Sequence, residues 1–143
     1  MTPIKVVDAS AVVALLLNEP EARTIAESLD GATLIAPALL PFEVANACLS
    51  KSRRHPELGD FIWTAFGRRD LLRIETAEVD HADVLILAAR TGLTAYDASY
   101  LWLARATRTA LVTLDRKLAR VAAGGTTREP RDTSMCYIGS PFR

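Results

Sequence analysis

The sequence is poor in cysteine. It has two, Cys48 and Cys136, too few for a disulfide framework or a zinc cage. The two histidines, His55 and His81, are isolated, and no Cys or His pair has zinc spacing. No apolar run approaches the roughly 20 residues that span a bilayer. The longest lies near Ala11 to Leu17. The start of the chain carries one lysine and passes straight into a strand-like segment, which is a poor secretory signal. No glycine-rich loop follows that segment, which excludes a dinucleotide-binding domain. Lysine is scarce too: only Lys5, Lys51 and Lys117 among 17 basic residues, the rest being arginine. These absences lead to the expectation of a soluble, cytoplasmic protein with reduced thiols and no membrane partner.

What is present fits one globular domain. The chain has 143 residues, half of them hydrophobic, and a mean hydropathy of +0.15. That excludes disorder over most of its length. Net charge is zero, but residues 1–50 hold two basic and six acidic side chains and the remainder is correspondingly basic. Arginine is the better fork for phosphate and carboxylate, although a GC-rich genome enriches it as well.

Periodicity and stop signals place the elements. Residues 4–7 read as a strand ending at Asp8. Helical patterns cover 11–17 and 21–29, and a strand covers 34–36. Pro41 suits the first turn of a helix running to Arg54. Residues 57–66 read as helix, and 71–74 as the third strand. Helices follow over 79–90 and 94–107, then a strand over 110–114 and a helix over 116–123. Alternating strands and helices imply an α/β fold on a mainly parallel sheet. Residues 1–123 are expected to form the main domain, 124–134 a polar loop, and 135–143 a closing edge strand and tail of the same domain.

Four carboxylates stand in apolar surroundings at element boundaries: Asp8, Glu43, Asp97 and Asp115. Asp8 and Asp115 follow strands, at the end where α/β sheets bind ligands. Singly, each has a structural explanation. Asp8 and Asp115 can cap the helices that follow. Thr94 and Asp97 fit a capping box. Glu43 suits the positive end of a helix dipole. Jointly that explanation weakens, because buried carboxylates are costly unless paired or metal-bound. No Lys or Arg lies within three residues of Glu43 or Asp97. Oxygen-only donors select hard ions, Mg²⁺ or Mn²⁺. An all-carboxylate site in an otherwise basic surround suits phosphodiester hydrolysis. Thr113, two residues before Asp115, shares its side of the strand. Arg116 and Lys117 follow it and could meet phosphate, whereas the Lys51, Arg53, Arg54 cluster also reads as a solvated helix end. Trp63 and Trp102 read as core or dimer-contact residues rather than base-stacking platforms. Cys48 reads as a small buried hydrophobe, and His81 as a surface residue.

Four segments carry a resemblance: Val6-Val7-Asp8-Ala9-Ser10-Ala11, Pro41-Phe42-Glu43-Val44-Ala45-Asn46-Ala47, Leu93-Thr94-Ala95-Tyr96-Asp97-Ala98-Ser99-Tyr100, and Leu111-Val112-Thr113-Leu114-Asp115-Arg116-Lys117-Leu118. In order and spacing the chain resembles the PIN-domain ribonucleases, and within them the VapC toxins of type II toxin–antitoxin pairs, over residues 3–122. The resemblance implies a five-stranded, mainly parallel central sheet flanked by helices, a homodimer, and Mg²⁺- or Mn²⁺-dependent RNA cleavage with one or two ions. It also implies a cognate VapB-type antitoxin, in a toxin–antitoxin hetero-oligomer. Asp8 and Asp97 match the family's metal-binding positions, and Glu43 and Asp115 its other two acids. Ser10 and Thr113 match pocket hydroxyls, with Asn46 and Arg116 as further lining residues. The stretch Gly124 to Ser134 departs from the family's usual run from last helix to closing strand. A catalytically silent PIN-fold module binding RNA or protein is the alternative. A phosphatase forming an aspartyl-phosphate is disfavoured, because Asp8-Ala9-Ser10 stands where such enzymes carry Asp-x-Asp.

Overall fold

The apolar tetrapeptides of the sequence become the middle of a sheet. The structure, a computed structural model, describes residues 2–124 and the backbone of residues 136–137. Five strands lie in the order β3-β2-β1-β4-β5, every pair parallel. They are β1 (Ile4–Val7), β2 (Thr33–Pro37), β3 (Glu75–Ala77), β4 (Ala110–Thr113) and β5 (Cys136–Tyr137). Strands of a parallel sheet are covered on both faces, and Val6, Val7, Leu111 and Val112 are accordingly all buried. Burying each such side chain is worth roughly 1.5–3 kcal/mol.

The helices are α1 (Ala9–Leu16), α2 (Ala22–Leu29), α3 (Leu40–Arg54), α4 (Gly59–Gly67), α5 (His81–Thr91), α6 (Ala95–Thr107) and α7 (Arg116–Gly124). Helix α1 packs on α2 and α3, and α3 on α4. Helix α5 packs on α6, which lies across β1, β2 and β4. Right-handed crossovers put these two groups on opposite faces, because the chain winds outward from β1 to β3 and then returns to β4. The winding reverses between β1 and β4. A crevice opens at such a switch point, beyond the carboxyl ends of its strands.

Most expected elements are found within two residues of the expected bounds. The expected helix over 57–66 opens as one 3-10 turn, Pro56–Leu58, before α4. The third strand is a correction. Residues 71–74 do not form it: Arg69–Leu72 is a 3-10 turn, Arg73 adopts a left-handed conformation, and the strand is Glu75–Ala77. Leu71, which looked like a strand residue, is 76% exposed. An edge strand three residues long has little apolar surface to bury, so its sequence does not announce it. Backbone pairing places Cys136 beside Val112 and Tyr137 beside Thr113, within the segment expected to supply a closing edge strand. The expected polar loop over 124–134, apart from Gly124 at the end of α7, and the expected tail over 138–143 lie outside the described residues.

Candidate active site

Asp8 ends β1 and begins α1. Its extended backbone places the carboxylate over the first turn of the helix, where Oδ1 accepts the Ala11 N–H at 3.1 Å. Only 5% of Asp8 is exposed. Two hydroxyls complete its surroundings. Ser10 Oγ donates to Oδ1 at 2.7 Å, and Thr113 Oγ1 donates to Oδ2 at 2.5 Å. Those same hydroxyls accept from the next strand's end: Leu114 N–H to Ser10 Oγ and Asp115 N–H to Thr113 Oγ1, both 2.9 Å. Ser10 and Thr113 thus buckle the ends of β1 and β4 together with Asp8 between them.

Asp115 caps α7, its Oδ1 accepting the Leu118 N–H at 2.8 Å. Asp97 lies in the first turn of α6, its N–H held by Thr94 Oγ1 at 3.1 Å. Glu43 lies in the first turn of α3. Its Oε1 accepts the Tyr100 hydroxyl at 2.6 Å, and Tyr100 is only 1% exposed. The capping explanation is therefore realised at Asp8 and Asp115. At α6 the cap itself is Thr94.

Charge ties the four acids into one group. Burial pushes the Asp8 carboxyl up to about 6, against the pull of its three hydrogen bonds, and the Asp115 charge pushes the same way. Burial and then the Asp115 charge raise Asp97, with the Thr94 hydroxyl and the Lys117 charge opposing. Burial raises Glu43, opposed by the Tyr100 hydroxyl and helped by Asp97. Tyr100 is driven well above the ordinary phenol range by burial, by its bond to Glu43 and by the charges of Glu43, Asp8 and Asp97. Strands β1 and β4 and helices α3 and α6 each deliver one acid to this neighbourhood.

The donor chemistry fits a hard divalent cation. It is oxygen-only, and a buried carboxylate lacking a counter-charge carries a desolvation cost that a cation offsets. Among the described residues Lys117 is the one cation seen acting on Asp97, and none is seen acting on Asp8 or Glu43. The cage is not ready-made: among the described residues no three His, Cys, Asp or Glu side chains stand close enough to clasp an ion.

The other expected residues divide. Ser10 and Thr113 join Asp8 directly. Asn46 is exposed one turn beyond Glu43, and Arg116 is exposed at the start of α7. Lys117 Nζ donates to the Gly92 carbonyl at 3.0 Å, bracing the end of α5. Trp63 is 57% exposed and so is not a core residue. Trp102 packs partly buried against the core, and Cys48 is buried. Tyr100 was missed. Its signal was present: a tyrosine one turn beyond Asp97 on a buried helix needs a partner for its hydroxyl.

A central parallel sheet with this reversal defines an α/β protein, and its candidate site is the group of acids at the switch point. The PIN-domain family model matches residues 5–124. The chain is 37% identical over 119 residues to VapC ribonuclease Mb0985 of Mycobacterium bovis and equally to ribonuclease VapC9 of Mycobacterium tuberculosis, covering 80% of this chain and 87% of each relative. It is 32% identical over 122 residues to ribonuclease VapC3 of Pyrobaculum aerophilum, covering 80% of this chain and 91% of that protein. The crystal structure of PAE2754 from Pyrobaculum aerophilum superposes with a TM-score of 0.67 at 24% identity, covering 94% of this chain and 90% of that one, a likeness of fold. The chain belongs to the PIN-domain family, on its VapC ribonuclease branch.

Proposed function

We propose that the chain is a ribonuclease, the toxin of a type II toxin–antitoxin pair, and that Asp8, Glu43, Asp97 and Asp115 are its catalytic acids. The observation that carries this is the electrostatic union of four acids at the switch point, with Asp8 buried and, among the described residues, no cation acting on it. The relatives named as ribonucleases support the activity.

Asp8 and Asp97 would hold Mg²⁺ or Mn²⁺, as one ion or two, with Glu43 and Asp115 joining directly or through water. Such an ion lowers the pKa of bound water and neutralises charge on the scissile phosphate. The chain's own residues do the rest. Ser10 and Thr113 fix the orientation of Asp8, and the cap from Thr94 fixes the first turn that carries Asp97. Asn46 and Arg116 are exposed where they can line an approaching strand. No histidine stands among the four acids, which favours water over the ribose 2′-hydroxyl as nucleophile. Attack by water on phosphorus breaks the P–O3′ bond and leaves a 5′-phosphate and a 3′-hydroxyl.

The same reading makes the protein a cytoplasmic homodimer, restrained by a VapB-type antitoxin in a hetero-oligomer. Among the described residues no helix is long and apolar enough to cross a membrane. Residues 1–123 are read as the PIN domain, with the 124–134 loop and the 135–143 strand and tail belonging to it.

The test is cleavage of RNA by antitoxin-free protein, wild type beside Asp97→Asn, in Mg²⁺, Mn²⁺ and EDTA. Metal-dependent cutting by the wild type alone is expected, with Asp97→Asn losing most activity while keeping its fold. A 2′,3′-cyclic phosphate on the fragments would sink the water mechanism. Folded wild type that binds RNA but never cuts it would establish a silent binding module, the reading favoured by the capping roles of Asp8 and Asp115.

A further inference from the structure

Glu43 differs from the other acids in its reach. Its side chain turns about three bonds before the carboxylate, and an unheld glutamate loses that freedom at a cost when it is fixed. Among the described residues its carboxylate receives one hydrogen bond, from the Tyr100 hydroxyl at 2.6 Å. The ring behind that hydroxyl is 1% exposed and sits on α6 one turn from Asp97, so residues 97 and 100 share a helix face. The phenol therefore fixes the α3 acid relative to the α6 acid. It also makes the two oxygens of Glu43 unlike. Oε1 is engaged, which weakens it as a donor to anything else, and Oε2 receives no hydrogen bond among the described residues.

We infer that Tyr100 is a positioning residue that presents Glu43 to a divalent ion, or to the ion's water, through one oxygen only, and so tunes the site toward Mg²⁺ and against Ca²⁺. The inference rests on the acid site being a metal site, as proposed above. Mg²⁺ takes near-ideal octahedral geometry with few carboxylates, whereas Ca²⁺ accepts six to eight oxygens and welcomes both oxygens of one carboxylate. A glutamate held by one oxygen suits the first ion and handicaps the second. Tyr100 does not touch substrate; it acts through Glu43.

Calorimetric titration with Mg²⁺ and with Ca²⁺, on wild type and Tyr100→Phe, tests this without any cleavage assay. Tyr100→Phe keeps the buried ring and removes one atom. Its Mg²⁺ affinity is expected to fall about tenfold, the lower end for loss of a group orienting a ligand. Its Ca²⁺ affinity is expected to hold or rise, so the preference between the ions collapses. In a Glu43→Gln background, Tyr100→Phe is expected to change Mg²⁺ affinity by less than about twofold, since coupled residues are non-additive. Equal losses for both ions, no loss for either, or a full further loss in the Glu43→Gln background would each overturn the inference. A Tyr100→Phe variant that does not fold shifts the test to Glu43→Gln, where an unchanged ion preference overturns it. Wild type that binds no divalent ion overturns the metal reading and this inference together. Wild type that binds Mg²⁺ but cuts no RNA overturns the ribonuclease and leaves the role of Tyr100 standing.

Discussion

Asp8 shows how one side chain sets stability against chemistry. Its carboxyl ionises at about 6 in the folded protein, against an ordinary 3.8. The folded state therefore holds that proton more tightly than the unfolded chain does. The stability gained is fully present below about pH 4 and is lost as pH rises through about 6. A shift of this size corresponds to about 3 kcal/mol. In EDTA at pH 7.5, Asp8→Asn is expected to be more stable than wild type by up to about that amount, and the gap is expected to close toward pH 4.5. Urea unfolding at the two pH values measures it; a gap independent of pH would contradict the assigned cause. Adding Mg²⁺ is expected to stabilise the wild type and leave Asp8→Asn unmoved. Asp8, Glu43, Asp97 and Asp115 were legible in the sequence because carboxylates in apolar segments violate the hydrophobic pattern. Tyr100 was harder to read, because a tyrosine in a buried helix calls for a hydroxyl partner without naming it, and Glu43 lies 57 residues away.

Among the elements, α6 is the one on which the site most depends, since it carries both Asp97 and Tyr100. Its two ends are built unequally. The Thr94 cap is well made, and Thr94→Ala is expected to cost about 1 kcal/mol. It is also expected to loosen the first turn that carries Asp97, lowering cleavage as well as melting temperature. The far end stops at Arg108, which is held left-handed at φ 53°. Left-handed backbone costs a non-glycine residue roughly 1–2 kcal/mol. Arg108→Gly is therefore expected to raise the melting temperature by a few degrees and leave cleavage unchanged; a fall would show that the arginine side chain is needed there. Helices were readable from period and punctuation: Gly92 follows α5 at φ 74° as its stop signal required. Strand β3 was not, because Glu75-Thr76-Ala77 gains its identity from pairing with β2 rather than from its own residues.

The whole molecule shows a surface that its composition alone does not explain. Phe42, Phe61, Trp63, Leu71, Leu85 and Tyr96 are each at least half exposed. Such side chains mark a contact surface where they join into one patch. The protein is expected to sediment as a dimer of its 15.6 kDa chain, and Trp63→Asp to shift it toward monomer if α4 forms part of that contact. An unchanged dimer would place the contact elsewhere.

The order of the sheet has a consequence for when the protein becomes active. Strand β1 lies between β2 and β4, and the hydroxyl that holds Asp8 Oδ2 comes from 105 residues further along the chain. A nascent polypeptide synthesised as far as α6 carries three of the four acids, but β1 has an open edge and Asp8 lacks both Thr113 and Asp115. Contacts so distant in sequence form late. The proposed four-acid centre therefore has all its members only after the ribosome has released β4 and the start of α7. If Asp8 and Asp115 are both required, as proposed, a nascent chain gains no cleaving activity until nearly all of residues 1–123 have been translated.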